Sequence, residues 1–247
     1  MRSYVGDLPP GATFSHRSAL IVHGLPIPYF ENGEALRVEV MHPGCGVRRR
    51  AIHIRKRSLG DDEVTEVESI RVTSLLRTLF DLARDSPLAF AVAVVDTAIR
   101  RSLITVDELE EFCSGRAIRT RGARVRRVLD TVDGRRESVA ESISAVCFLE
   151  YSVPGFEPQV EIRDENGNFV ARTDFANEGA RVIAEFDGAG KYYLEGTDPK
   201  EAFELERKRE YLLRNLGYMV FRLTWADLFR ADLSLRIRAA VAQRAKR

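Results

Sequence analysis

Three carboxylates, Asp174, Glu185 and Asp187, stand in the run FVARTDFANEGARVIAEFDGAGKYY, which begins at Phe169. The segments that carry them otherwise read as buried strands. Carboxylates leave water only when they are paired or bind a cation. Side chains alternate along a strand, so Ile183, Glu185 and Asp187 share one face and Val182, Ala184 and Phe186 the other. Arg172, Asp174 and Ala176 share a face of the preceding strand. A turn near NEGA (177–180) joins the two strands and brings Asp174 close to Glu185. Neighbouring carboxylates repel unless a proton or a cation intervenes. Mg²⁺ or Mn²⁺ held there would bind substrate phosphate and activate water for phosphodiester cleavage. Lys191 follows a few residues on and can return toward the same site. The same acids can instead pair with Arg172 or Arg181, or lie on a solvated face, and spacing alone leaves both readings open.

The elements that must position these residues follow from patterning. The best boundary is DGRRES (133–138), which divides the chain into residues 1–134 and 135–247. Beyond it, SVAESISAVCFLEYS reads as a helix, and PQVEIRDENGNFVARTDFA as a hairpin with an Asn166-Gly167 turn. ARVIAEFDG is a third strand. A charged helix over 199–216 stops at Gly217, YMVFRLTW is a fourth strand, and an amphipathic helix closes the chain. Trp225, the single tryptophan, is expected in the core. Before the boundary, SHRSALIVHGLP reads as a short helix, and ALRVEVM and RRRAIHIRKR as half-buried strands. Helices then dominate: 72–85, an almost wholly apolar 87–101, 105–114 with a Thr105-x-x-Glu108 capping box, and a basic helix over 121–132. The fold class is α/β (α+β), with a mostly helical first domain carrying a small sheet.

The 247 residues are 45% apolar and 30% charged with a formal net charge of +1, so bulk charge does not argue for nucleic acid. Local clusters argue more strongly. The segments 48–57 and 116–127 each hold six basic residues and no acid. Arg55, Lys56 and Arg57 in the first, and Arg119, Arg121, Arg124, Arg126 and Arg127 in or beside the basic helix, are the candidate DNA contacts. Strand alternation lets only about half of the first cluster face one duplex. Cys45, Cys113 and Cys147 lack zinc-ligand spacing and read as free thiols, the last two in helix cores. No apolar run is long enough to span a bilayer, and the N-terminus has no apolar signal-like run, so a cytoplasmic protein is expected. His16 and His23 are assigned to capping or packing. No nucleophile–base grouping is suggested, and FDGAGKYY lacks the P-loop spacing.

ESVAES, PQVEI, RTDF, VIAEFDG, KYY and ERKREYLLRNLGYMVFRLTWADL together resemble the PD-(D/E)XK restriction-endonuclease-like superfamily, in its very-short-patch-repair-like branch, over residues 138–228. The resemblance implies a mixed sheet flanked by helices and Mg²⁺-dependent DNA cleavage. It assigns Asp174, Glu185 and Glu141 as metal ligands and Gln159 as a polar strand position facing the site. The superfamily's simplest pattern has lysine where this chain has Asp187. In this branch an acid-x-Asp-Gly pattern precedes a basic residue, a role that falls to Lys191. SHRSALIVHGLP, RVTSLLRTLFDLAR and VVDTAIRRSLITVDELE resemble the middle region of AbiEi-type antitoxin and regulator proteins. Such proteins usually begin with a winged helix, and the expectation is that this chain lacks it, leaving residues 15–130 as a DNA- or protein-docking module. Two functions are therefore expected. The first is a metal-dependent endonuclease of phage defence, a toxin–antitoxin system or repair. The second is an inactive DNA-binding or antitoxin-like regulator with a degenerate nuclease fold.

Overall fold

The computed structural model describes residues 2–28, 37–116, 120–187 and 199–245. Contacts separate two units, Met1–Val139 and Ala140–Arg247. Each holds a mixed sheet with helices, an α/β fold.

The first sheet comprises β1 (Thr13–Phe14), β2 (Val38–His42), β3 (Val47–Arg48), β4 (Ile52–Lys56), β5 (Val64–Val67) and β6 (Ile70–Thr73), ordered β3-β4-β2-β1-β6-β5. Parallel pairing of β2 with β4 sets Glu39 beside His53 and Met41 beside Arg55. Alternation sends Val38, Val40 and Ile54 into a core with Phe14, Ile70 and Val72 and leaves Glu39, His53 and Arg55 on the other face. The helix expected over 72–85 begins later, because Val72 and Thr73 belong to β6. The β5–β6 turn is made by Glu68 and Ser69, at φ 50° and 63°. Two successive left-handed residues are what a tight hairpin turn requires.

The helices of this unit are α1 (His16–Val22), α2 (Leu75–Asp85), α3 (Leu88–Arg100), α4 (Val106–Ser114) and α5 (Gly122–Leu129). Every residue of α3 from Phe90 to Ala98 is buried, as its nearly unbroken apolar character predicts. α4 opens with the expected capping box: Thr105 Oγ1 accepts from the Glu108 N–H at 3.2 Å, and the Glu108 carboxylate accepts from the Thr105 N–H at 2.7 Å. α2 packs against α1, α3, α4 and α5. It buries Arg77, Asp81 and Arg84 along with Leu79, Phe80 and Leu82. The charges tolerate burial because they are paired. Arg77 bridges Asp81 at 2.7 Å and Glu63 at 2.5 Å, and Arg84 reaches Asp81 at 2.8 Å.

The second unit runs α6 (Val139–Glu150), β7 (Glu157–Arg163), β8 (Phe169–Asn177), β9 (Val182–Phe186), α7 (Pro199–Asn215), β10 (Met219–Leu223) and α8 (Ala231–Arg244), the order the patterning predicts. The sheet order is β10-β9-β8-β7, with β9 antiparallel to β8 and parallel to β10. Gly167 turns the β7–β8 hairpin at φ 82°, and the Asp164 carboxylate accepts the Asn166 and Asn168 N–H groups at 2.9 and 2.8 Å. Ile162, Ala171, Ala176 and Ile183 pack with Leu213 of α7. Phe148 of α6 meets Phe175 edge-on at 5.3 Å. Trp225 departs from expectation: it is 41% exposed. The chain turns away from the sheet just before it, where Asp227 accepts the Thr224 N–H at 2.8 Å, and the indole meets Phe186 edge-on at 5.2 Å. Cys113 and Cys147 are buried as expected. No helix among the described residues is long and apolar enough to cross a membrane.

Candidate functional site

Two acids of the opening run, Asp174 and Glu185, stand opposite one another where two strands part. β8 stays paired with β7 from Ala176 back to Phe169, but with β9 only over Phe175–Asn177. The next opposed positions are Asp174 and Glu185. There the Phe186 N–H donates to Asp174 Oδ2 at 2.7 Å, so a side chain continues the hydrogen bonding as the strands diverge. β9 remains paired with β10 on its other side, and the Asp187 N–H donates to the Leu223 carbonyl at 2.8 Å. The β7–β8 register sets Gln159 opposite Asp174, and the β9–β10 register sets Arg222 opposite Glu185. One row across the sheet thus reads Gln159, Asp174, Glu185, Arg222.

Glu185, Asp174 and Glu141 already have partners. Glu185 is 2% exposed. Arg209 of α7 grips it with both Nη atoms, the Nη1–Oε2 distance being 3.2 Å, and Arg222 Nη1 reaches Oε2 at 2.8 Å. The two guanidinia also share Glu206, with Arg209 Nη1 at 3.0 Å from Oε1 and Arg222 Nη2 on the same oxygen. Burial pushes the Glu206 carboxyl up, but the Arg222 and Arg209 guanidinia together outweigh it and hold it below the ordinary carboxylate value. Glu141, buried on α6, accepts from Gln159 Nε2 at 2.7 Å. Gln159 adopts φ 56°, a left-handed conformation within a strand. The anticipated partners Arg172 and Arg181 are not on Glu185. The Arg172 carbonyl accepts from Arg209 at 3.5 Å, and Arg181 Nη1 donates to the Leu216 carbonyl at 2.9 Å.

This donor set does not fit Mg²⁺ as it stands. The ion takes carboxylate oxygens and waters at roughly 2.0–2.1 Å, whereas both Glu185 oxygens carry guanidinium donors and Asp174 Oδ2 carries an amide. A cation would have to displace Arg209 and Arg222. Among the described residues, Glu141, Asp174, Glu185 and Asp187 yield no trio with ligand atoms mutually within 4.8 Å. The trio that does is His16, Asp81 and Asp85 in the first unit, and its carboxylates are likewise held by Arg77, Arg84, Arg57 and Arg121. Lys191 and Arg119 lie outside the described residues.

The candidate DNA contacts divide into two groups. Arg55 pairs with Glu39 at 2.9 Å, Arg57 with Asp81 at 3.1 Å and Arg121 with Asp85 at 3.0 Å. Lys56, Arg124, Arg126 and Arg127 are exposed, with Arg124 donating to the Ser86 carbonyl at 2.8 Å. Sequence reasoning missed the convergence of Arg55, Arg57 and Arg121 with His16 and Asp85. No local spacing signals it, since the segments lie tens of residues apart. His16 Nδ1 contacts Ser15 Oγ at 3.1 Å and Nε2 contacts Asp85 Oδ2 at 3.2 Å. Ser15 is fully buried, so this chain of contacts packs the fold and presents no nucleophile to a substrate.

Residues 17–131 match the family model described as the AbiEi antitoxin C-terminal domain, a stretch lying wholly within the first unit. Uncharacterized proteins from two strains of Mycobacterium tuberculosis are each 24% identical over 211 residues, spanning 85% of this chain and 75% of the relative. No solved structure matches.

Proposed function

We propose that this chain is an antitoxin-like regulatory protein: an AbiEi-like first unit that docks on DNA or a toxin-like partner, and a second unit that keeps a nuclease-like frame with its acidic centre closed. The observation that carries the reading is the neutralisation of buried Glu185 by Arg209 and Arg222. The match of the first unit to an antitoxin domain supports it. DNA contact falls to the exposed Lys56, Arg124, Arg126 and Arg127, whose phosphate pairing would weaken as salt rises.

The register of Asp174 against Glu185, at a strand fork beside Glu141 and Gln159, favours one second reading, the PD-(D/E)XK-like nuclease. In it Glu141, Asp174 and Glu185 bind Mg²⁺ or Mn²⁺ after the arginines withdraw, and Lys191 supplies positive charge. The deciding experiment incubates plasmid, linear and mismatched DNA with either ion, comparing wild type with Asp174→Ala and Glu185→Ala, and follows binding by mobility shift. The regulatory reading expects no cleavage and DNA binding unchanged in both variants. Metal-dependent cutting that both variants abolish overturns it in favour of the nuclease.

A further inference from the structure

A cavity of about 690 Å³ opens in the first unit. One wall is the polar face of the sheet, with Arg48, His53 and Arg55. The other is helical, with Arg17 from α1, Arg84 from the end of α2, and Arg121 just ahead of α5. Arg37 and Arg57 also line it. Seven arginines thus face two acids, Glu39 and Asp85, and Asp81 behind the lining pairs with Arg57 and Arg84, which leaves an excess of four positive charges.

Those acids are already spent. Glu39 accepts from Arg55 at 2.9 Å and from the Arg17 N–H at 3.0 Å. Asp85 is held by Arg84 at 2.7 Å, Arg121 at 3.0 Å and His16 at 3.2 Å. Arg37 and Arg48 have no carboxylate partner among the described residues. Arg55 keeps Nη1 buried without an acceptor among the described residues, an arrangement native proteins seldom leave unexplained. Like charges gathered in a concave, partly desolvated site repel one another, and a bound anion offsets that cost. Guanidinia suit phosphate because their forked donors match its oxygens.

From this geometry we infer that the cavity binds a small oligophosphate, the phosphate chain of a nucleoside triphosphate or free triphosphate. Its volume lies in the range of small-ligand sites, roughly 300–1,000 Å³. Duplex contacts, by contrast, spread along a stripe or a helix face. A chain of three phosphates brings three to four negative charges, which matches the excess. The inference does not depend on the regulatory reading of the second unit.

Calorimetry on the full chain at fixed salt tests it, with tripolyphosphate, ATP, adenosine and a series of oligonucleotides as probes. Tripolyphosphate and ATP are expected to bind one to one, and adenosine not at all. ATP at least about tenfold tighter than tripolyphosphate assigns a nucleotide, and equal affinities assign the phosphate chain alone. The double variant Arg37→Ala/Arg48→Ala breaks no ion pair among the described residues. It should weaken binding at least about tenfold while the melting temperature stays put. No binding at millimolar concentration overturns the inference, as does binding that the double variant leaves unchanged. Affinity that rises with oligonucleotide length and exceeds that of ATP also overturns it, by assigning the arginines to a nucleic-acid backbone.

Discussion

The closed acidic centre makes an asymmetric prediction. Glu185 is 2% exposed, whereas its partners Arg209 and Arg222 keep 23% and 31% of their side chains in water. Glu185→Gln leaves both guanidinia partly hydrated and still paired with Glu206, so it should cost about 1.5–3 kcal/mol, the scale of a lost charge-assisted hydrogen bond. Arg209→Ala combined with Arg222→Ala strands a buried carboxylate without a counter-charge and should cost about 3–5 kcal/mol. Restoring neutrality with Glu185→Leu in that double variant should recover much of the loss, because an apolar replacement of a buried ionic group is often neutral or stabilising. Urea denaturation followed by Trp225 fluorescence reads this out. Trp225 is the single tryptophan and sits against Phe186, one residue from Glu185, so it reports the second unit alone. A double-arginine variant no less stable than Glu185→Gln would refute the reasoning. It would mean that Glu185 does not rely on the arginines, and a cation could then take their place.

Chelation should leave the wild-type urea midpoint unchanged, and 10 mM Mg²⁺ (roughly physiological excess) should not raise it, since ligands stabilise only through sites they fit; a rise of the midpoint with Mg²⁺ contradicts the misfit. Burial pushes the Cys113 and Cys147 thiols up to about 11, so iodoacetamide at neutral pH should label Cys45 first, with mass spectrometry showing one adduct before unfolding. Acid should destabilise the fold in two stages. Burial holds His23 below 6.5, so the unfolded chain takes up its proton first and stability falls as pH drops below 6.5 toward the folded value. His23→Gln should shrink this stage in pH-dependent melting. Burial alone would push Asp85 up, but His16 and Arg84 hold it well below 3.8, so its contribution is intact above that pH and is lost as pH falls further toward its folded value. Thr105→Ala removes the α4 cap and should cost about 1 kcal/mol by chemical denaturation; no loss would show that the cap is not limiting.

What the sequence disclosed was local. The Thr105–Glu108 box, the Asn166-Gly167 turn and the apolar α3 each depend on residues a few positions apart. What it concealed was long-range or lacked its usual signal. The β5–β6 hairpin turns on Glu68 and Ser69, without the glycine or asparagine that normally marks such a turn, so β6 looked like the start of α2. The burial of Arg77 and Asp81 depends on Glu63 and Arg57, which local periodicity cannot connect to α2. At the acidic row the cross-strand approach of Asp174 to Glu185 was legible from alternation and turn position. The partner of Glu185 was not, because the nearer arginines, Arg172 and Arg181, compete on paper with Arg209 and Arg222. Only the pairing of β9 with β10 and the packing of α7 decide between them.

The hairpin strand β7 has a consequence for how partners meet this protein. It is an outer strand of its sheet, and such a strand normally offers unpaired backbone groups to any passing extended chain. Here Pro158 supplies no N–H, Glu157, Glu161 and Arg163 bring charge, and the register shifts between Ile162 and Arg163. A foreign strand laid along it would lose a hydrogen bond, bury charge and fall out of step. A protein that approaches the second unit along this margin must therefore read side chains, since the β7 backbone is poorly suited to strand addition, which leaves β10 as the other outer strand.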